Sequence, residues 1–275
     1  MRQRLLDRGL KVSLSTLSYW QSGRSQPERT SSLAAVTALE TILQLPPGAL
    51  RSQLGPHRPR GGLATAPQVS AALQHTYGEE AQPRLALGED FVSLNADVRQ
   101  LVMDTTVRLD ASRCQRVISA RIVVRALRSG VEGFIDVCTQ RESTTRPPDV
   151  VVRFGTLDNV RYIPHLRTTV VQILFGRPLE RNETAIIDYD LVFGPGEELT
   201  ASYEHNFPPG RRESLVHIVF DPQALPAYCR RYYRSAYGAE ETRAARITLD
   251  ASHSVHTLTT GSPTGLHGIA WDWPV

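Results

Sequence analysis

The chain of 275 residues is 41% hydrophobic and 21% charged with a net charge of +3, the make-up of a globular protein of one large or two ordinary domains. No run reaches the length needed to cross a bilayer, and the start, MRQRLLDRG, has no apolar signal-peptide core, so a cytoplasmic location is expected. Cys114, Cys138 and Cys229 are odd in number, far apart and in no C-x-x-C pair, which argues against a disulfide framework or a structural zinc site and for buried thiols.

In chain order, Arg2 to Asp7 reads as the end of a helix with Arg2, Arg4 and Arg8 exposed. In VSLSTLSYWQSGRSQPE, Val12 to Glu28, Ser13 is placed to cap a helix by accepting from an amide of its first turn. Leu17 and Trp20 recur at helical spacing as core positions, and Gly23 ends the run, with Arg24 and Pro27 as the stop. The other face holds Leu14, Ser15, Ser18, Tyr19 and Ser22, which is short, polar and uncharged with one aromatic ring. Such a face suits hydrogen bonding to base edges in a DNA major groove, although an amphipathic helix of a bundle shows the same spacing. Thr30 or Ser31 then caps a longer helix through Leu33, Val36, Leu39, Ile42 and Leu43, ending before Pro46-Pro47-Gly48.

These two segments, VSLSTLSYWQSGRSQPE and SLAAVTALETILQLPPGAL, resemble the phage-repressor (XRE-like) helix-turn-helix family. Val12, Ser13, Thr16, Leu17, Ser18, Trp20, Gln21, Gly23, Arg24 and Pro27 fall on its recognition-helix pattern. The resemblance implies that Leu14, Ser15 and Tyr19 face base edges while Ser13, Ser18, Ser22 and Arg24 sit near phosphates. The family has two helices before the recognition helix, whereas only Met1 to Arg8 precedes the turn at Gly9, so the N-terminal helices are expected to be truncated. Residues 1–60 carry nine basic residues against three acidic, a net of +6, and the remainder a net of −3. Positive charge is thus concentrated where phosphate contact would require it. Lys11 is the only lysine, an arginine bias that fits a GC-rich genome better than a nucleic-acid surface.

GPHRPRGG (Gly55 to Gly62) reads as an interdomain linker whose Arg58 and Arg60 are solvated, Pro67 to Tyr77 as a short helix, and Gly78 to Glu89 as irregular. From Phe91 the texture becomes strand-like: Val98–Leu109, Gln115–Leu127, Glu132–Thr139, Val150–Phe154, Thr168–Phe175, Thr184–Phe193, Leu199–Phe207 and Leu215–Phe220, with Arg243–Leu249, Ser254–Thr259 and Leu266–Trp273 closing the chain. Turn chemistry at Arg128-Ser129-Gly130, Arg146-Pro147-Pro148, Gly194-Pro195-Gly196 and Pro208-Pro209-Gly210 separates them. Ile118, Ala120, Ile122, Val124 and Ala126 alternate with polar residues, so one face is dry and one wet, as in an antiparallel β-sandwich. This part resembles the β-rich domains that accompany such helix-turn-helix segments in actinobacterial regulators.

His253 and His256 are three apart, which on a strand places them on opposite faces and unfits them as a metal pair. Asp188 and Asp190 share a face and with Glu183 make either an acidic site or a solvated strand face. YCRRYYRSAY (Tyr228 to Tyr237) interleaves arginine with tyrosine, either to stack bases or anchor a partner, or as an edge strand with packed stems. G-x-S-x-G, H-E-x-x-H, the P-loop and paired C-x-x-C are all missing from the sequence, so no catalytic residue, metal ligand or cofactor is expected.

The expected architecture is a multidomain chain. A small all-α helix-turn-helix segment spans 1–54, a linker with a short helix spans 55–90, and an all-β antiparallel sandwich spans 91–275. The implied function is a non-enzymatic, sequence-specific DNA-binding transcriptional regulator. Its partners would be double-stranded DNA and a second copy of itself held through the sandwich, with no membrane and an effector that the sequence does not name. The other reading is a protein-interaction module whose truncated helix-turn-helix no longer reads DNA.

Overall fold

The computed structural model describes residues 2–21, 27, 30–54, 66–140, 146–196 and 198–274. Two units divide the chain, Met1–Gly62 and Leu63–Val275. Gly23, Glu28 and the linker positions Gly55 to Gly62, with Arg58 and Arg60, lie outside the described residues.

The first unit contains α1 (Arg2–Leu6), α2 (Leu14–Gln21) and α3 (Thr30–Ile42). Leu5 is fully buried where α1 packs on α3, whose Ala35 and Val36 are also buried. Ser13 caps α2 as its position predicts, its Oγ accepting from the Thr16 amide at 3.0 Å. Glu40, near the end of α3, is buried, and its carboxylate accepts from the amides of Gly48 (2.9 Å), Leu50 (2.8 Å) and Arg51 (3.0 Å). The Pro46-Pro47-Gly48 turn is therefore wrapped around one charge, and these amides hold the Glu40 carboxyl below the usual carboxylate range. A depressed folded-state pKa contributes stability above the ordinary range and loses it as the pH falls through the folded value. The amide resonances of Gly48, Leu50 and Arg51 should accordingly shift together on acidification below about pH 4. Glu40→Gln should abolish that acid step, and an unchanged step in the variant would assign it to another group.

The second unit opens with α4 (Ala66–Tyr77) and α5 (Gln82–Leu87), followed by a 3₁₀ segment, Gly88–Ser93. Among the described residues thirteen strands follow: β1 (Val98–Leu109), β2 (Gln115–Ala126), β3 (Val131–Thr139), β4 (Asp149–Phe154), β5 (Thr156–Ile163), β6 (Thr168–Leu179), β7 (Thr184–Val192), β8 (Ser202–Phe207), β9 (Glu213–Val219), β10 (Tyr228–Arg234), β11 (Thr242–Ile247), β12 (Ser254–Thr260) and β13 (Gly265–Asp272). They form a six-stranded sheet β12-β9-β1-β2-β7-β4, a four-stranded sheet β11-β10-β13-β8 and a three-stranded sheet β3-β6-β5. The alternation in β2 sets the core, because Ile118, Ala120, Ile122, Val124 and Ala126 all point inward. They meet Ile187, Tyr189 and Leu191 of β7, Val216 and Ile218 of β9, and Ile269 and Trp271 of β13 in one cluster.

The expected fold class is corrected by this topology. In place of one all-antiparallel sandwich behind an all-α segment there are three sheets, and β1 runs parallel to β9 (Val107↔Ile218). Two helices also belong to the β-rich unit: α5 contacts β3 and β6, and Leu73 of α4 is buried in a second cluster with Ala86, Leu87, Phe91 and Val170. The physical reason is that β3 and β5 pair with β6 in a sheet of their own instead of extending the six-stranded sheet, and α5 packs against β3 and β6. α5 lies in the stretch expected to be irregular, and Pro83 in its first turn starts it. Tyr228 to Arg234 is not an edge strand, since β10 sits between β11 and β13.

Candidate functional site

Within the second unit, α4, α5, β1, β2, β3, β7 and β8 surround a cavity of about 500 Å³. Much of its wall is apolar, with Leu73, Phe91, Met103, Ile122, Phe134 and Leu191 contributing. Phe134, Asp136 and Cys138 stand two apart on β3 and all border the cavity. Asp136 Oδ2 accepts from the Tyr189 hydroxyl at 2.5 Å across the cavity from β7. Burial raises the Asp136 carboxyl above its usual range, opposed by the Tyr189 bond and the Val137 amide, and also raises the Tyr189 phenol. The Cys138 thiol is pushed up to about 12 by burial, with Asp136 adding to the effect, so it stays a neutral thiol and a poor nucleophile at neutral pH.

The opposite wall carries Arg211, which follows the Pro208-Pro209-Gly210 turn between β8 and β9 and is 6% exposed. Its Nη1 donates to the Asn206 carbonyl at 2.7 Å, its Nη2 donates to Gln100 Oε1, and the guanidinium lies over the Phe207 ring, 5.7 Å from its centroid. Burial lowers its pKa to about 10, which leaves it charged at neutral pH. Tyr77, set edge-on against Phe91, and Tyr237, whose hydroxyl donates to Gln82 at 3.3 Å, line the end nearest the helices. His205, also in the wall, is held neutral by burial with Arg211 and His267 nearby. Its Nε2 shares a 2.7 Å hydrogen bond with Ser214 Oγ. Ser214 is fully buried and does not border the cavity, so this serine–histidine pair ties β8 to β9 and is not offered to a substrate.

The expected site residues lie apart from this cavity. Ser13, Leu14, Ser15, Ser18 and Tyr19 are exposed in the first unit, and Ser13 Oγ is also engaged with the Ser15 and Thr16 hydroxyls. Ser22 and Arg24 lie outside the described residues. Leu17 and Trp20, expected as core, are half-buried, and α2 has no buried residue. In the second unit, Asp188 is gripped by Arg121 (2.7 Å) and Arg153 (2.5 Å), Arg153 also bonds Asp190, and Glu183 pairs with Arg177. The acidic strand is therefore neutralised. Arg230 and Arg234 flank the Tyr232 ring at 5.7 and 5.2 Å and share Glu241, which fits the packed-stem reading of that run. His253 sits in a turn and His256 on β12, and no group of three or more His, Cys, Asp or Glu able to hold a metal occurs among the described residues.

The cavity residues stand in no motif. The available signals were a lone carboxylate inside the apolar strand GFIDVC and an arginine directly after a Pro-Pro-Gly turn.

No family model and no curated protein matches the chain. Among solved structures it is similar to a candidate protease from Parabacteroides distasonis, at 11% identity and a TM-score of 0.40 over 65% of this chain and 41% of that one. It is also similar to yeast LTA4 hydrolase (11%, 0.32, over 64% and 29%) and to an M1 zinc metallopeptidase from Deinococcus radiodurans (9%, 0.32, over 63% and 42%). The chain spans less than half the length of each, and likeness at this level assigns it no activity. The expected DNA-binding regulator is nonetheless corrected. The helix expected to read bases has neither a buried residue to fix it nor a basic residue between Leu14 and Gln21. Among the described residues no helix is long and apolar enough to cross a membrane.

Proposed function

We propose that the β-rich unit binds a small organic molecule in the cavity between its sheets. The observation that supports this is convergence: Asp136 and Cys138 of β3, Tyr203 of β8 and Arg211 from the turn before β9 all border one space whose wall mixes apolar and polar groups. Burying such groups costs free energy unless partners repay it, and a protein core built only for stability would fill the space with side chains. A volume of about 500 Å³ also falls within the roughly 300–1,000 Å³ usual for small-molecule sites.

The test is a fragment screen by ligand-observed NMR on the full chain and on Met103→Trp. Met103 is a half-buried, flexible member of the wall, and an indole in its place would occupy the space. The expected result is a set of fragments that bind the parent one-to-one and lose binding at least about tenfold in Met103→Trp with an unchanged circular-dichroism spectrum. Fragments that bind both proteins equally would place the binding elsewhere and overturn the proposal.

A further inference from the structure

We infer that the ligand is an organic monocarboxylate, an acid group on an apolar body, and that Arg211 is the residue that anchors its carboxylate. This rests on the cavity being a ligand site.

The inference starts from what each buried charge in the wall can do without a ligand. Asp136 has an escape, because a carboxyl can take up a proton, and its Oδ2 already accepts the Tyr189 hydroxyl. Glu204 accepts from the Tyr232 hydroxyl at 2.9 Å. Arg234 is bound by Glu241 at 2.7 Å. Arg211 has no such outlet. A guanidinium does not give up its proton at working pH. Its two hydrogen-bond acceptors, the Asn206 carbonyl and the Gln100 amide oxygen, are neutral, and its Nε is buried with no partner among the described residues. Among the described residues no carboxylate makes an ion pair with it, and the neighbouring Tyr77 and Tyr203 are kept as neutral phenols by their own burial. An unpaired buried cation is among the costlier features a core can hold.

The unmet demand at Arg211 is therefore for one negative charge. The planar fork of a guanidinium matches a carboxylate, and the Asn206 and Gln100 acceptors and the Phe207 ring beneath it hold the guanidinium in place. The remaining wall (Phe91, Ile122, Phe134 and Leu191) suits an alkyl chain or a single aromatic ring.

Isothermal titration of the full-length protein with octanoate, phenylacetate and their two uncharged amides tests this. The parent should bind at least one acid about tenfold or more tightly than its amide, the span expected for a hydrogen bond to a charged group. Arg211→Met should erase that preference while leaving the amide affinity near its parent value, and Arg211→Lys should restore part of it. If acid and amide bind the parent equally, the charge assignment is wrong while the cavity remains a ligand site. If none of the four binds while fragments of other chemistry do, the ligand class is wrong. If nothing binds at all, both proposals fall. Should Arg211→Met fail to fold, the acid-to-amide ratio in the parent still decides the question.

Discussion

Replacing Trp271 by alanine is expected to cost about 3–5 kcal/mol, a large part of the whole margin by which an ordinary domain stays folded. Trp271 lies on β13, is 2% exposed, and is among the largest fully buried side chains of the core cluster. The Phe220 ring meets it edge-on at 5.3 Å and Trp273 at 6.4 Å, arrangements worth about 0.5–1.5 kcal/mol per pair beyond burial. Its indole N–H donates to the Thr200 carbonyl at 2.9 Å, but Trp273 donates to the same oxygen at 2.8 Å. Truncation therefore leaves that acceptor satisfied, and the loss is one of volume and contact. Trp271→Phe, which keeps a ring against Phe220, should lose clearly less. Denaturant midpoints of the three proteins at equal m-values measure this. A loss below about 1 kcal/mol for the alanine variant would mean that the three-ring cluster is not packed as described.

Gly155→Ala should cost about 3 kcal/mol for a different reason, combining backbone strain with overpacking. Gly155 joins β4 to β5, the point at which the chain passes from the six-stranded sheet to the three-stranded one. Its φ is +104°, a region that residues with a Cβ rarely adopt. An added Cβ would stand 2.6 Å from Ile173 Cγ2 and 2.9 Å from the Leu174 carbonyl oxygen, so the methyl would press on a buried side chain and on backbone together. The side chain can yield but the carbonyl is fixed in the β6 ladder, so Gly155→Ala/Ile173→Ala should recover none of the backbone component. Equilibrium denaturation of the single and double variants separates the two, and a single variant within about 0.5 kcal/mol of the parent would refute the strained crossing.

Most strands were legible because their signal is local. β1 is predicted residue for residue, and the dry face of β2 was read from Ile118 to Ala126 alone. β5 was missed since Asp158, Asn159 and Arg161 break its apolar pattern, and α5 since six residues are too few for a helical period to show. The parallel match of β1 with β9 leaves no local trace, because what selects it is which apolar faces remain to be covered once the nearer pairings are made. The candidate site was obscure for the same reason. Asp136 and Arg211 are far apart in sequence and belong to no motif, and only the tertiary packing of β3, β8 and β9 brings them to one space. The N-terminal pattern misled because a helix's spacing does not reveal whether anything holds it, and Leu17 and Trp20 are only half-covered.

The parallel partnership of β1 and β9 also sets a timetable for synthesis. About a hundred residues separate the two strands, so at roughly 5–20 residues per second β1 would leave the ribosome about 5–20 s before β9. In that interval β1 can zip onto β2, but its other edge stays bare, a run of unpaired amides and carbonyls of the kind that recruits stray strands. β12 and β13 come later still. A nascent chain of this protein thus carries its six-stranded sheet unfinished from the making of β1 until β12 emerges, and it is there, rather than in the finished molecule, that a chaperone would have something to hold.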